Sequence, residues 1–168
     1  VMAVTAGTTE DLLLEHQLCF ALSVASRSVV ASYKPVLEKL GITHPQYLVM
    51  LALWEQSPRM VKDLSEALQQ EPATLSPMLK RLEQAGLVTR ERMEGNERAL
   101  AVGLTDAGVA LREQALAVPG TMLSRLGLER EQLRDLNATM HALIAAAQDA
   151  GGAGHAGAAQ EAGGHDRA

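Results

Sequence analysis

Cys19 is the sole cysteine of this 168-residue chain, and its thiol is the one strongly redox-active side chain that no other position duplicates. A thiolate is the nucleophilic form of cysteine, and a solvent-reachable thiolate is oxidised by peroxides to sulfenic acid. A lone cysteine on an apolar helix also serves as a small buried hydrophobe, and position alone leaves both roles open. One cysteine excludes an intrachain disulfide framework and any cysteine-rich zinc or iron–sulfur centre. His16 lies one turn before Cys19, but His16 and His44 lack a third ligand at useful spacing, so no metal or other cofactor is expected. A second group of residues suits hydrogen bonding to a polyanion. Thr74, Ser76, Lys80 and Arg81 fall within one short apolar-periodic segment, and Arg90, Arg92 and Arg98 follow it closely.

Charge bounds what the second group does. The chain carries 15 Lys+Arg against 20 Asp+Glu, a formal net charge of −5. Residues 59–98 hold seven of each sign, so any grip on a polyanion depends on where the cations point rather than on net charge. Aromatic residues make up 2% of the chain, namely Phe20, Tyr33, Tyr47 and Trp54, while the hydrophobic fraction is 47%. A core of Leu, Val, Ala and Met suits packed helices better than a β-sandwich. Met50, Met78 and Trp54 read as core filling, and Tyr47 as the more core-like of the two tyrosines. No apolar run approaches the ~18–20 residues needed to span a bilayer, and the first residues lack a secretory pattern, so a soluble cytoplasmic protein is expected.

The elements that must position these residues follow from periodicity. Residues 1–9 are aperiodic and predict a flexible arm. Thr9 predicts an N-cap for a helix reaching about Ser32, with Leu14, Leu18, Ala21, Leu22, Ala25 and Val29 on one face. The neighbouring stripe, Leu12, His16, Cys19, Ser23, Ser26 and Val30, is too apolar for a solvated face and too polar for a monomer core. A helix needing cover on two sides predicts an interface, with a second copy as the natural partner. Pro35 predicts a fresh start for a short helix over 36–40, ended by Gly41. Thr43 caps a helix to about Gln56, and Ser57-Pro58 breaks it. Val61, Leu64 and Leu68 space as a short helix. Glu71-Pro72 reads as a turn, and Thr74 to Ala85 as a second short helix stopped by Gly86.

The period then changes to two over 87–92 and again over 98–104, around a polar turn at 94–97, which predicts a β-hairpin. Thr105 caps a helix to about Leu116, with a kink or break at Pro119-Gly120. A final helix spans 129–148. From Ala150 onward, 13 of 19 residues are Gly or Ala without periodicity, and a disordered tail is expected, its His155 and His165 included. Two short helices, a polar turn and a hairpin directly after the second helix make the order of a winged helix-turn-helix, mainly α with a small β-hairpin. In that arrangement Thr74, Ser76, Lys80 and Arg81 face a DNA groove, while Arg90, Arg92 and Arg98 serve a wing. The bland alternative is a helical domain whose hairpin only caps the core.

Several stretches resemble a known family. LCFAL at 18–22, SYKPVLEKLGITHPQYLVMLALWE at 32–55, TLSPMLKRLEQAGLVTRER at 74–92, NER at 96–98 and LTDAG at 104–108 are similar to the MarR family, in particular to its organic-hydroperoxide-sensing OhrR-type branch. The resemblance covers about 12–145. It implies a single domain over 10–149, in which residues 10–40 and 105–149 dimerise and residues 44–104 bind DNA. It implies a homodimeric repressor on a pseudo-palindromic double-stranded operator, with recognition helices in major grooves and wings in minor grooves.

The resemblance also implies that Cys19 is the reactive cysteine, oxidised by an organic hydroperoxide to a sulfenic acid, after which the dimer rearranges and releases DNA. Tyr33 matches the first of two tyrosines that the partner subunit donates to the sulfur. The second tyrosine position is His44 here, and a further tyrosine one turn after the cysteine is Ser23. Asn96 stands at the wing-turn aspartate, and Glu71-Pro72-Ala73-Thr74 at the usual recognition-helix entry. With no second cysteine, resolution of the sulfenic acid needs a low-molecular-weight thiol. The substituted positions keep a second reading open, a repressor released by a small aromatic or lipophilic ligand. A thiol peroxidase is the reading from another class, and no peroxidase motif supports it.

Overall fold

The structure, a computed structural model, describes residues 7–93 and 95–161, apart from the side chains at 93, 96–98 and 152–161. Its helices are α1 (Leu18–Leu37), α2 (His44–Glu55), α3 (Val61–Leu68), α4 (Pro72–Gln84), α5 (Asp106–Ala115), α6 (Val118–Leu126) and α7 (Arg130–Glu161). Its strands are β1 (Arg59–Met60), β2 (Val88–Met93) and β3 (Asn96–Leu104). The chain packs as two compact units, Val1–Met122 and Leu123–Ala168, where the sequence predicts one domain over 10–149.

The core of the first unit forms around α2 and α4. Val49, Met50 and Leu53 of α2 are buried, as are Leu64 of α3 and Leu75, Leu79 and Leu82 of α4. The 75/79/82 spacing sets these three side chains on one stripe of α4, which leaves the opposite face to solvent. Thr43 caps α2 through its hydroxyl, which accepts from the Gln46 N–H, while the Gln46 side chain accepts from the Thr43 N–H. Thr105 does the same for α5, accepting from the Gly108 N–H at 3.0 Å.

The sheet has the order β1-β3-β2, all antiparallel. The hairpin of β2 and β3 matches the sequence expectation, but β1 is an addition. It pairs Arg59 with Val102 and Met60 with Ala101. Two residues are too few to show a period, so only the pairing edge of β3 defines this strand. Val88 and Val102 are buried beneath the sheet, and a register irregularity follows Arg92.

Several boundaries differ from the sequence expectation, among them the start of α4, which lies at Pro72 rather than at Thr74. The N-terminal cap is Thr8 rather than Thr9, and it opens two 3-10 turns, Thr9–Leu12 and Leu14–His16, ahead of α1. The Gln17 side chain donates to the carbonyls of Asp11 and Leu13, which holds these turns to the start of α1. Pro35 lies inside α1, which runs through it to Leu37 and tightens to a 3-10 turn over Glu38–Leu40. A proline near a helix end removes one hydrogen bond without forcing a restart. Gly41 then ends the turn at φ 70°. Finally, α7 continues to Glu161, past Ala150 where disorder is expected. Residues 162–168 of that tail lie outside the described residues, as do residues 1–6 of the arm.

Candidate functional site

Cys19 sits in the first turn of α1 and is exposed. Among the described residues no hydrogen bond reaches its sulfur. Ser23, one turn further, is also exposed. The stretch around them is short of cover: Leu14, Leu18 and Phe20 stand 62%, 57% and 42% exposed. His16, exposed as well, places Nδ1 2.7 Å from the Glu10 carbonyl oxygen, so its Nδ1–H donates within the N-terminal turns.

Tyr33 and His44 meet at the other end of the helix. Their rings pack edge to face with centroids 5.0 Å apart. Tyr47 lies 6.1 Å from Tyr33, and Trp54 lies 6.4 Å from Tyr47, so three of the four aromatic residues and one histidine form a continuous row. Burial pushes the Tyr33 phenol up, and burial followed by the neighbouring Tyr33 pushes Tyr47 up. Burial lowers the His44 pKa below its ordinary 6.5. His44 is therefore a neutral imidazole at pH 7, able to donate one N–H but without the positive charge that would depress a neighbouring thiol.

Within one chain these groups cannot meet Cys19. Cys19 and Tyr33 are fourteen residues apart on the continuous α1, about 21 Å at a rise of about 1.5 Å per residue. The structure brings Tyr33 and His44 together and leaves Cys19 and Ser23 at the far end.

The second candidate surface is the outer face of α4. Thr74, Ser76, Lys80 and Arg81 are all exposed. Lys80 and Arg81 stand beside Pro77 and Gln84 at the centre of the face opposite Leu75, Leu79 and Leu82, while Thr74 and Ser76 flank it. Gln84 has no signal in composition or motif, but the helical wheel places it there. A groove of about 590 Å³ runs beside Ser76, lined also by Lys62, Asp63, Pro72 and Leu100. Lys62, not singled out from sequence, brings an exposed cation there and lies 3.9 Å from Glu66.

The hairpin arginines part company. Arg92 is exposed. Arg90 instead turns toward α4, where Nε and Nη2 donate to Glu83 Oε2 at 2.9 and 2.6 Å. Its position predicts a wing or backbone contact, yet strand alternation sets it on the face of buried Val88, toward the helix. The side chain of Arg98 lies outside the described residues.

The fold and this surface define a winged helix-turn-helix regulator. The sequence profile of the MarR family matches residues 42–100. The organic hydroperoxide resistance transcriptional regulator of Bacillus subtilis (strain 168) is 44% identical over 135 residues, 80% of this chain and 92% of that protein. The HTH-type transcriptional regulator MgrA of Staphylococcus aureus is 36% identical over 132 residues, 78% of this chain and 90% of its own length. Among solved structures, reduced AbfR bound to DNA superposes with a TM-score of 0.65 at 37% identity, covering 80% of this chain and 96% of that one; AbfR is a Staphylococcus epidermidis protein. The chain belongs to the MarR family, and it is a transcriptional regulator of that type, in a family that is not enzymatic. Among the described residues no helix is long and apolar enough to cross a membrane, and no cluster of metal-ligating side chains is present.

Proposed function

We propose that this chain is a homodimeric, cytoplasmic DNA-binding repressor that loses its operator when an organic hydroperoxide oxidises Cys19. The observation that carries this reading is the separation along α1. An exposed thiol stands at one end of the helix, and a Tyr33–His44 pair 5.0 Å between centroids stands at the other. Two copies packed antiparallel along α1 bring each Cys19 to the partner's Tyr33 and His44. The same packing covers the apolar residues that α1 exposes. The similarity to the hydroperoxide resistance regulator supports the chemistry, and the DNA-bound relative supports the polyanion.

The thiolate sulfur attacks the outer peroxide oxygen. The O–O bond breaks, the alcohol leaves with a proton, and sulfur is oxidised to sulfenic acid. A low-molecular-weight thiol then displaces water and forms a mixed disulfide, which restores nothing until a second thiol reduces it. Tyr33 donates its phenolic O–H to the sulfur, and neutral His44 donates one N–H; Ser23 offers a shorter donor on the same helix. Thr74, Ser76, Lys80 and Arg81 contact the groove, and Arg92 and Arg98 contact phosphates or the minor groove.

The test is a titration of the protein's own upstream DNA, reduced and then with a few equivalents of organic hydroperoxide plus thiol, with intact-mass analysis of Cys19. Affinity is expected to fall as Cys19 gains oxygen or a thiol adduct, and Cys19→Ser is expected to bind normally and ignore the oxidant. Release of the Cys19→Ser protein by peroxide would sink the reading. A second reading rests on a groove of about 360 Å³ lined by Tyr47, Leu51, Trp54 and Arg112. Its aromatic and apolar walls, with the Glu55 carboxylate beside the Arg112 guanidinium, suit a small aromatic or lipophilic compound as the releasing ligand, and DNA release by such a compound without change in Cys19 mass would favour it.

A further inference from the structure

The turn between α4 and the hairpin is short, and Gly86 crosses it at φ 73°. Backbone bonds hold the turn itself: the Gly86 N–H donates to the Glu83 carbonyl and the Leu87 N–H to the Leu82 carbonyl. Three residues past Leu87, a side-chain ion pair ties the hairpin to α4. There Arg90 Nε and Nη2 both donate to Glu83 Oε2, with the side chains 24% and 38% exposed.

We infer that Glu83 and Arg90 are a positioning pair, which sets the angle between the outer face of α4 and the hairpin so that both engage DNA at once, without either residue touching the DNA. The inference rests on the DNA-binding reading above. Three observations carry it. Arg90 shares the strand face of buried Val88 and its head ends on Glu83 of α4, whereas Arg92, two residues further along the same face, is exposed. A planar guanidinium with two donors on one carboxylate oxygen resists rotation in a way that one amine does not. And Glu83 places a carboxylate one turn from Lys80 on a helix meant for phosphates, where an uncompensated negative charge opposes binding. Arg90's hydrogen bonds, with Lys80 as a smaller influence, hold that carboxyl ionised and its pKa low. The pairing thus neutralises a charge that would otherwise repel the ligand.

The roles separate by sign. If Glu83 were only a charge beside DNA, Glu83→Gln would tighten binding and free Arg90 for a phosphate. As one half of a positioning pair, Glu83→Gln weakens it, by about fivefold to tenfold. Arg90→Gln also leaves the Glu83 charge uncompensated, so a loss at least as large is expected; the double variant Glu83→Gln/Arg90→Gln, free of both charges, is expected to keep the salt slope of the wild type, whereas removal of a phosphate contact lowers that slope by about one. The double variant is expected to be no worse than either single one, because the pair acts as a unit. Arg90→Lys keeps the charge and loses the planar donors, and an intermediate loss at unchanged slope is expected. Binding constants are taken on the upstream duplex across a salt series, per active fraction from stoichiometric titration, so that a partly unfolded variant does not mimic the effect. Tighter binding of Glu83→Gln, a slope lowered by about one in the double variant, or additive losses in the double variant would each overturn the pair. If the wild-type chain binds the duplex and the variants match it, only the pair falls. If the wild type shows no salt-dependent binding, the DNA reading falls and takes the pair with it.

Discussion

The indole N–H of Trp54 donates to the carbonyl oxygen of Gly108 at 2.9 Å, joining the last turn of α2 to the first turn of α5. The Gly108 N–H in turn donates to the Thr105 hydroxyl, which itself donates to the Gly86 carbonyl at 2.6 Å. A chain of polar contacts thus runs from the aromatic row to the residue that ends α4. Trp54→Phe keeps the ring and removes the donor. A loss of about 1 kcal/mol is expected, read by urea denaturation followed by circular dichroism, since Trp54 is the only tryptophan. An unchanged midpoint would show that the bond contributes nothing to stability.

Gly108 allows this junction to close. A Cβ there would stand 2.1 Å from the Leu87 carbonyl oxygen and 3.2 Å from the Leu104 side chain. The first is backbone and cannot rotate away. Gly108→Ala is expected to cost roughly 2–3 kcal/mol by overpacking. Gly120→Ala is the matched control: it lies in α6 with nothing within 4 Å of its Cβ position. There the same change is expected to stabilise by about 0.5–1 kcal/mol. Melting temperatures moving in the same direction for both would refute the packing argument.

Acid is expected to destabilise the protein in two windows. His44 has a folded pKa lowered from 6.5 by burial, so the unfolded chain takes up its proton first. The contribution of neutral His44 is complete above about pH 6.5 and declines as pH falls toward the folded pKa. Glu83 has a folded pKa lowered from 4.5 by the Arg90 hydrogen bonds, so its contribution is present above 4.5 and declines only below it. Denaturant midpoints between pH 8 and 3 check this. His44→Gln is expected to flatten the upper window alone, and Glu83→Gln the lower.

Arg92 is the exposed counterpart of Arg90, and Arg98 shares the expected wing role. Arg92→Gln and Arg98→Gln are expected to weaken binding to all duplexes alike and to lower the salt slope by about one. A slope equal to that of the wild type would remove that residue from the phosphate-contacting set.

In the proposed dimer the exposed apolar run of Leu14, Leu18 and Phe20 is covered by a second copy of the chain. Leu18→Glu is expected to shift the protein toward monomer in light scattering and to abolish operator binding, because two half-sites then lose their link. A dimer that persists unchanged in Leu18→Glu would place the interface elsewhere.

Much of this protein is legible in the sequence because local signals and tertiary demands agree. Thr43 and Thr105 as caps, Gly41 and Gly86 as stops, the 75/79/82 stripe and the period-two run after Gly86 all act within a few residues of themselves. They determine the winged helix-turn-helix order and the outward set of Thr74, Ser76, Lys80 and Arg81. Where a partner distant in sequence decides, the signal is absent. β1 exists only because β3 offers it an edge. Pro35 does not restart a helix, because losing one hydrogen bond near the end of α1 costs less than unwinding it. Arg90 and Arg92 are the same residue type two positions apart on one strand, and only the packing of α4 against β2 gives Arg90 a carboxylate. Cys19 is legible as a thiol from the sequence alone. Its distance from Tyr33 and His44, and their meeting edge to face, are set by the rigid length of α1 and by where α2 packs, which no spacing along the chain records.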